Sequence, residues 1–264
     1  MRPGRAARPL AAKLIADGFD VVSLSRRPAE SPHLVPGAVA HLAFDPADPG
    51  PWQDAIDGAR AVVALGGAPF FRKWASWEEF ERVGTGGRVV ANRALVSAIE
   101  RASRRPEVYV TASAVGYYGF IDSDEIITES SPAGPDKWAM GTVAWETEAM
   151  RATELGVRVV VGVRTGIVLS PTGGMAAQMA PQFRRGFGAI ILPGTQWLPW
   201  IHIDDEVAMA LFALAVHDER VTGGLNASAP NPARFVDYAA RPGSAHATGA
   251  RGLRDIRPRS GAKD

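Results

Sequence analysis

The sequence predicts an α/β fold built on a doubly wound parallel sheet, and three observations predict it. Short β-branched runs recur at FDVVSL (19–24), AVAHLAF (38–44), ARAVVALGGAP (59–69), EVYVTA (107–112) and VRVVVGV (157–163). Segments of helical apolar spacing lie between them, several closing on a glycine. The last run is as apolar as any in the chain, which suits a strand covered on both faces. Strands that alternate with helices indicate a parallel sheet flanked by helices.

Each element has its own signal. Residues 8–17 place Leu10, Leu14 and Ile15 on one face and stop at Gly18. The strand 38–44 ends at Asp45-Pro46, and a short helix over 51–57 closes at Gly58. Residues 76–82, 88–104 and 139–155 read as helices, the last ending at Gly156. A further helix starts at Asp204 or Asp205, either of which can cap it, and runs to about His217. The expected division is one domain over 1–232, with substrate-side elements over about 166–232. A basic, poorly ordered tail is expected over 233–264, because that stretch is rich in Ala, Arg, Gly and Ser and lacks an apolar period.

Composition removes several classes of function. The formal net charge of +1 provides no global field for nucleic acid. The absence of cysteine excludes disulfides, a thiol nucleophile and cysteine-ligated metal sites. The five histidines lack metal-ligand spacing. No apolar run reaches the roughly 18 residues needed to span a bilayer. The Arg-rich start lacks a continuous apolar core and reads as mature sequence, so a cytoplasmic location is expected. The expected partners are a small-molecule substrate and a second copy of the chain, with no nucleic acid and no membrane.

A doubly wound sheet of the Rossmann type binds its ligand outside the carboxyl ends of the strands, with a Gly-rich turn after the first strand. Here no strand precedes the first helix, and only Gly4 remains of such a turn. The expectation is a truncated start, with an apolar strand of about ten residues encoded upstream. After the strand 19–24 comes Ser25-Arg26-Arg27, where NAD users place an acid and NADP users an arginine. Arg26 and Arg27 therefore favour NADP over NAD as cofactor, the competing reading being a solvated arginine pair. Asp45 suits an adenine-contacting loop. Gly66 and Gly67 allow the backbone to approach a cofactor closely.

The motifs TASAVGYYG (111–119), ITESSP (127–132), AWE (144–146), VRTGIVLSPTGG (163–174), GTQWLPWIHIDD (194–205) and NASAP (226–230) follow in order. On these the chain resembles the short-chain dehydrogenase/reductase superfamily, in an atypical branch similar to the nucleotide-sugar epimerases. The resemblance runs from about residue 4 to about residue 232. It implies an NADP-dependent oxidoreductase or epimerase-like enzyme acting on a small, nucleotide-linked substrate. It also implies that Ser113 polarises a substrate oxygen. The superfamily's tyrosine and lysine should stand eight and four residues before Glu146, which are the positions of Trp138 and Thr142. Neither can replace a phenol whose pKa near 10 is lowered by a neighbouring cation. Lys137 is turned about 100° away on the helix. Tyr117 and Tyr118 are the candidates to supply the missing acid/base, the competing reading being that they pack the loop.

Arg164 is expected to contact cofactor or a substrate phosphate, an internal ion pair being the alternative. Gln182, Arg184 and Arg185 suggest an anionic ligand or a solvated face. His202 reads as a structural hydrogen-bonding group, and Trp197 and Trp200 as pocket walls. Two further readings stay open: a non-catalytic NADP-binding module, and an inactive family member altered at both ends.

Overall fold

The computed structural model describes residues 6–26, 35–68, 76–121, 123–170, 194–216, 218 and 220–240. Helix α1 (Ala7–Ala16) leads into strand β1 (Val22–Ser25), which pairs in parallel with β2 (Ala40–Ala43). A second sheet holds β3 (Ala61–Ala64), β4 (Val108–Ala114), β5 (Arg158–Thr165) and β9 (Gly223–Ala227), in the order β3-β4-β5-β9 and parallel throughout. Two small ladders complete the strands. The first joins β6 (Ile167–Leu169) to β8 (Trp200–His202), and the second β7 (Trp197–Leu198) to β10 (Ala233–Arg234).

The pair β1–β2 and the sheet that begins at β3 are separate, with no ladder joining them among the described residues. Among the described residues no strand lies between β1 and β3, so the gap expected from the sequence is present. It is visible in burial. Interior strand β4 is almost wholly buried, whereas every residue of β1 is half-buried or exposed and β3 buries only Val62.

Helices cover both faces. On one, α2 (Pro51–Asp54), α4 (Gly86–Arg101) and α5 (Lys137–Met150) enclose a core of Trp52, Ile56, Leu95, Ile99, Tyr109 and Val159. On the other, α1 packs on α6 (Ile203–Ala215) through Leu10, Val207 and Ala210. Burying this apolar surface is the main favourable term in folding. Asn92 on α4 donates to the Trp145 carbonyl of α5 at 2.9 Å and accepts from the Tyr109 hydroxyl at 2.8 Å. One amide thus joins two helices to the central strand.

Helix 76–82 departs from expectation. Trp77–Glu79 (α3) is a single turn capped by Ser76, and Phe80–Thr85 winds on as a π-helical segment into α4. The Thr85 hydroxyl donates to the Glu81 carbonyl at 2.9 Å, occupying an acceptor that the wider winding leaves in reach. The cap of α6 also differs. It is His202, whose Nδ1 accepts from the Asp204 N–H at 3.3 Å, while Asp204 and Asp205 lie in the first turn. Carboxylates there still favour the positive end of the helix dipole.

The boundary expected at 232 falls inside folded structure. Ala233 and Arg234 pair with Leu198 and Trp197, and α7 (Phe235–Ala240) begins with a buried phenylalanine. The alternating pattern that predicts strands is too short to register in a two-residue pairing. Among the described residues no helix is long and apolar enough to cross a membrane.

Candidate functional site

The site is assembled where β4 and β5 end. The β4–β5 register shifts between Thr111 and Ser113, which brings Ser113 opposite Arg164. After Ala114 the chain makes a 3-10 turn over Val115–Tyr118 and leaves through Gly119, whose φ of 73° is costly for any residue with a Cβ. The Asp136 carboxylate then accepts from the Phe120 N–H at 2.8 Å and from the Ala139 N–H at 2.9 Å, so one side chain caps α5 and fixes the loop.

Glu146 of α5 is the hub. It accepts from Arg164 Nε at 3.1 Å and Nη2 at 3.0 Å, a bidentate pair in which both side chains are buried. The Ser113 hydroxyl donates to the same carboxylate. Arg164 Nη1 donates to the Tyr118 hydroxyl at 2.8 Å, and that hydroxyl donates to Asn226 Oδ1 at 2.6 Å. The Tyr117 ring lies flat beneath the guanidinium, 3.4 Å from its central carbon to the ring centre. Desolvation acts to lower the Arg164 pKa, but the Glu146 and Tyr118 contacts outweigh it and hold the cation charged above its ordinary value.

These contacts revise three expectations. Arg164 is an internal ion-pair partner, with its guanidinium committed to Glu146 and Tyr118, and does not stand free for cofactor or phosphate. Ser113, only 7% exposed, gives its proton to Glu146, so it lacks the free donor needed to polarise a substrate oxygen. The Tyr118 hydroxyl is spent on Arg164 and Asn226. Tyr117 differs from these: no hydrogen bond to its hydroxyl occurs among the described residues. It lines a cavity of about 400 Å³ along α5, together with Val143, Glu146, Thr147 and Met150.

Trp138 and Thr142 stand on α5 as the residue count requires. Trp138 packs against Phe80 and Trp77, with ring centres 4.3 and 5.5 Å away. The Thr142 hydroxyl turns inward to the Trp138 carbonyl at 2.9 Å. Lys137 lies over Trp77, away from the β4 turn. Trp197 and Trp200 donate to Asp124 Oδ1 at 2.9 Å and to the Asn231 carbonyl at 3.0 Å.

The cofactor candidates divide. Gly4, Arg27, Gln182, Arg184 and Arg185 lie outside the described residues. Arg26 is exposed at the carboxyl end of β1, and Asp45 is exposed just past β2, accepting from the Ala47 N–H at 2.9 Å. A Cβ at Gly66, past β3, would meet nothing within 4 Å, so that backbone is open. A Cβ at Gly67 would overlap the Arg88 guanidinium, so its close approach is to the protein. Arg26, Asp45 and Gly66 therefore each sit just past a strand's carboxyl end, where an open α/β sheet binds its ligand.

Sequence reasoning missed the hub, since Glu146 served only to number the helix. Arg88, Asn226 and Glu206 were missed as well. Glu206, in the first turn of α6, accepts from the Thr165 hydroxyl at 2.9 Å through one oxygen, while the other is buried with no hydrogen-bond partner among the described residues. Burial pushes its carboxyl up to about 7, with the Thr165 bond acting the other way. A glutamate directly before the apolar run VAMALFALA (207–215) was the available signal.

Comparison with known proteins agrees with this geometry. Residues 4–226 match the profile of the NAD dependent epimerase/dehydratase family. The chain is 33% identical over 243 residues to the epimerase family protein SDR39U1 homolog, chloroplastic, of Arabidopsis thaliana, covering 91% of this chain and 68% of that protein. The solved nucleoside-diphosphate sugar epimerase of Corynebacterium glutamicum superposes with a TM-score of 0.71 at 33% identity, over 89% of this chain and 46% of that one. The human epimerase family protein SDR39U1, solved with NADPH, gives 0.72 at 30% identity, over 89% and 75%. This chain spans 59 to 68% of the length of the first curated relatives it matches. The fold, the order of the motifs and these likenesses agree: the chain belongs to the NAD dependent epimerase/dehydratase family.

Proposed function

We propose that this protein binds NADP and acts as an epimerase-like oxidoreductase on a small, nucleotide-linked substrate. The observation that carries the reading is the placement of Arg26, Asp45 and Gly66 just past the carboxyl ends of β1, β2 and β3. Arginine after β1, with no acid there, suits a 2′-phosphate. The human relative solved with NADPH supports the same choice of cofactor. A bound NADP supplies hydride exchange with a carbon bearing a hydroxyl or carbonyl.

On the substrate side, the cavity beside Tyr117 is of a size that small-ligand pockets commonly have. Tyr117 is the group that holds or protonates the substrate, because its hydroxyl is unspent while Ser113 and Tyr118 are committed to Glu146, Arg164 and Asn226. The buried pair of Glu146 and Arg164 fixes the plane of its ring from below. A second reading, a non-catalytic NADP-binding module, is favoured by that same commitment of Ser113, Tyr118 and Arg164 to internal bonds.

Titration with NADPH and NADH, followed by a turnover assay over nucleotide sugars, tests both. Tighter binding of NADPH with hydride transfer is the expected result. Tight binding without turnover over the panel supports the module, and binding of neither cofactor overturns both readings.

A further inference from the structure

We propose that Arg88 is a positioning residue of the cofactor crevice: from α4 it ties down the turn after β3 and sets a positive charge beneath it. The inference deepens the NADP reading above and rests on it. In an open α/β sheet the ligand sits outside the strand ends where the strand order reverses. Here the β1–β2 pair and the sheet that begins at β3 are separate, and the segment at the carboxyl end of β3 is Gly66-Gly67-Ala68.

Arg88 grips this segment from within. Its Nη2 donates to the Ala68 carbonyl at 3.0 Å, and its Nη1 donates to the Gly84 carbonyl in the π-helical segment at 2.6 Å. Its guanidinium carbon lies 5.0 Å from the Trp145 ring of α5. One planar cation therefore joins the β3 turn, the entry to α4 and the face of α5. A lysine ammonium cannot reproduce that two-pronged geometry. The two glycines divide the work. Gly67 is closed by the guanidinium on the protein side, while Gly66 is open on the other.

The charge also has a chemical place. Thr142 turns inward, and Arg88 lies against Trp145, three residues further along the same helix. Burial lowers the Arg88 pKa to about 10, which leaves it charged at neutral pH. A charge placed beneath a ligand-bordering turn favours an anionic group above it, and the dinucleotide phosphates are such groups.

The test uses the full chain and the variants R88Q and R88K, with thermal melts to establish that each folds. Hydrogen exchange without ligand reads the turn directly. R88Q should raise exchange at residues 66–68 at least tenfold. NADPH affinity, measured by fluorescence at low and high salt, reads the charge. R88Q should weaken binding at least tenfold and flatten its salt dependence, whereas R88K should keep the salt dependence without restoring protection of the turn. Unchanged exchange in R88Q, or unchanged affinity and salt dependence, overturns the proposal. If R88Q does not fold, R88K decides: protection equal to that of the unaltered chain overturns it. Absence of NADPH binding by the unaltered chain sinks the cofactor reading, and the exchange data then decide whether Arg88 holds the turn.

Discussion

Glu146 and Arg164 face each other across the β5–α5 interface and form two parallel hydrogen bonds of 3.1 and 3.0 Å, both side chains buried. Such a pair offsets its own desolvation, but either half alone does not. Glu146→Leu or Arg164→Met should therefore lower stability by about 3–5 kcal/mol, because each strands its partner. The double variant Glu146→Leu with Arg164→Met should be less destabilised than the sum of the singles. Urea unfolding of the four proteins, taken as a double-mutant cycle, measures this, and strict additivity would refute the coupling.

Tyr117 should separate binding from chemistry. Tyr117→Phe keeps the ring beneath Arg164 and removes only the hydroxyl, so melting temperature and NADPH affinity should be unchanged. Turnover should fall by about 10²-fold, the usual scale for a lost proton-transfer group. Equal turnover by Tyr117→Phe would remove the residue from the reaction.

Glu206 should make stability depend on pH in a stated direction. Its carboxyl titrates at about 7 in the folded chain against an ordinary 4.5. The folded state therefore holds its proton more tightly, so stability is full below pH 4.5 and falls as pH rises through 7. Glu206→Gln removes this loss and should be the more stable protein at pH 8, by up to roughly 3 kcal/mol. Urea midpoints of both proteins from pH 5 to 8 should diverge toward the alkaline end. Parallel curves would mean that Glu206 is not held protonated.

Phe235 anchors the end of the described fold and is buried beside the β7–β10 ladder. Phe235→Ala should cost about 3–5 kcal/mol through lost burial and the cavity left behind. A chain ending at residue 232 should be destabilised similarly. Calorimetry of both against the full chain checks it, and full stability of the shortened chain would restore the boundary at 232.

The parts of the fold legible in the sequence are those that repeat locally. VYV and VRVVVGV declare β4 and β5 because a strand covered on both faces is dense in β-branched apolar residues. TASAVGYYG is legible as the end of β4 for the same reason. What stayed hidden depends on partners distant in the chain. Ser113 and Glu146 are 33 residues apart and Arg164 a further 18, so no spacing announces that they share one carboxylate. The cap at His202 was masked by two aspartates better suited to the task. The π-helical winding at Phe80–Thr85 is set by packing, with Gly141 of α5 fitting against Thr85.

The division of the sheet reaches beyond ligand binding. Among the described residues no ladder hydrogen bond joins β1 to β3, and the β1–β2 pair meets the core of the larger sheet through side chains such as Leu24, Leu42 and Phe44, the last set edge-on to Trp52 of α2 at 4.9 Å. Cohesion across that line is greasy contact without the cooperative lattice that binds β3 to β9. The two bodies are thus separate units of opening, and the smaller can come away while the larger stays intact. The molecule has a seam, and the seam runs through the place where its cofactor would lie, so a ligand that bridges the halves would also set how firmly they are held together.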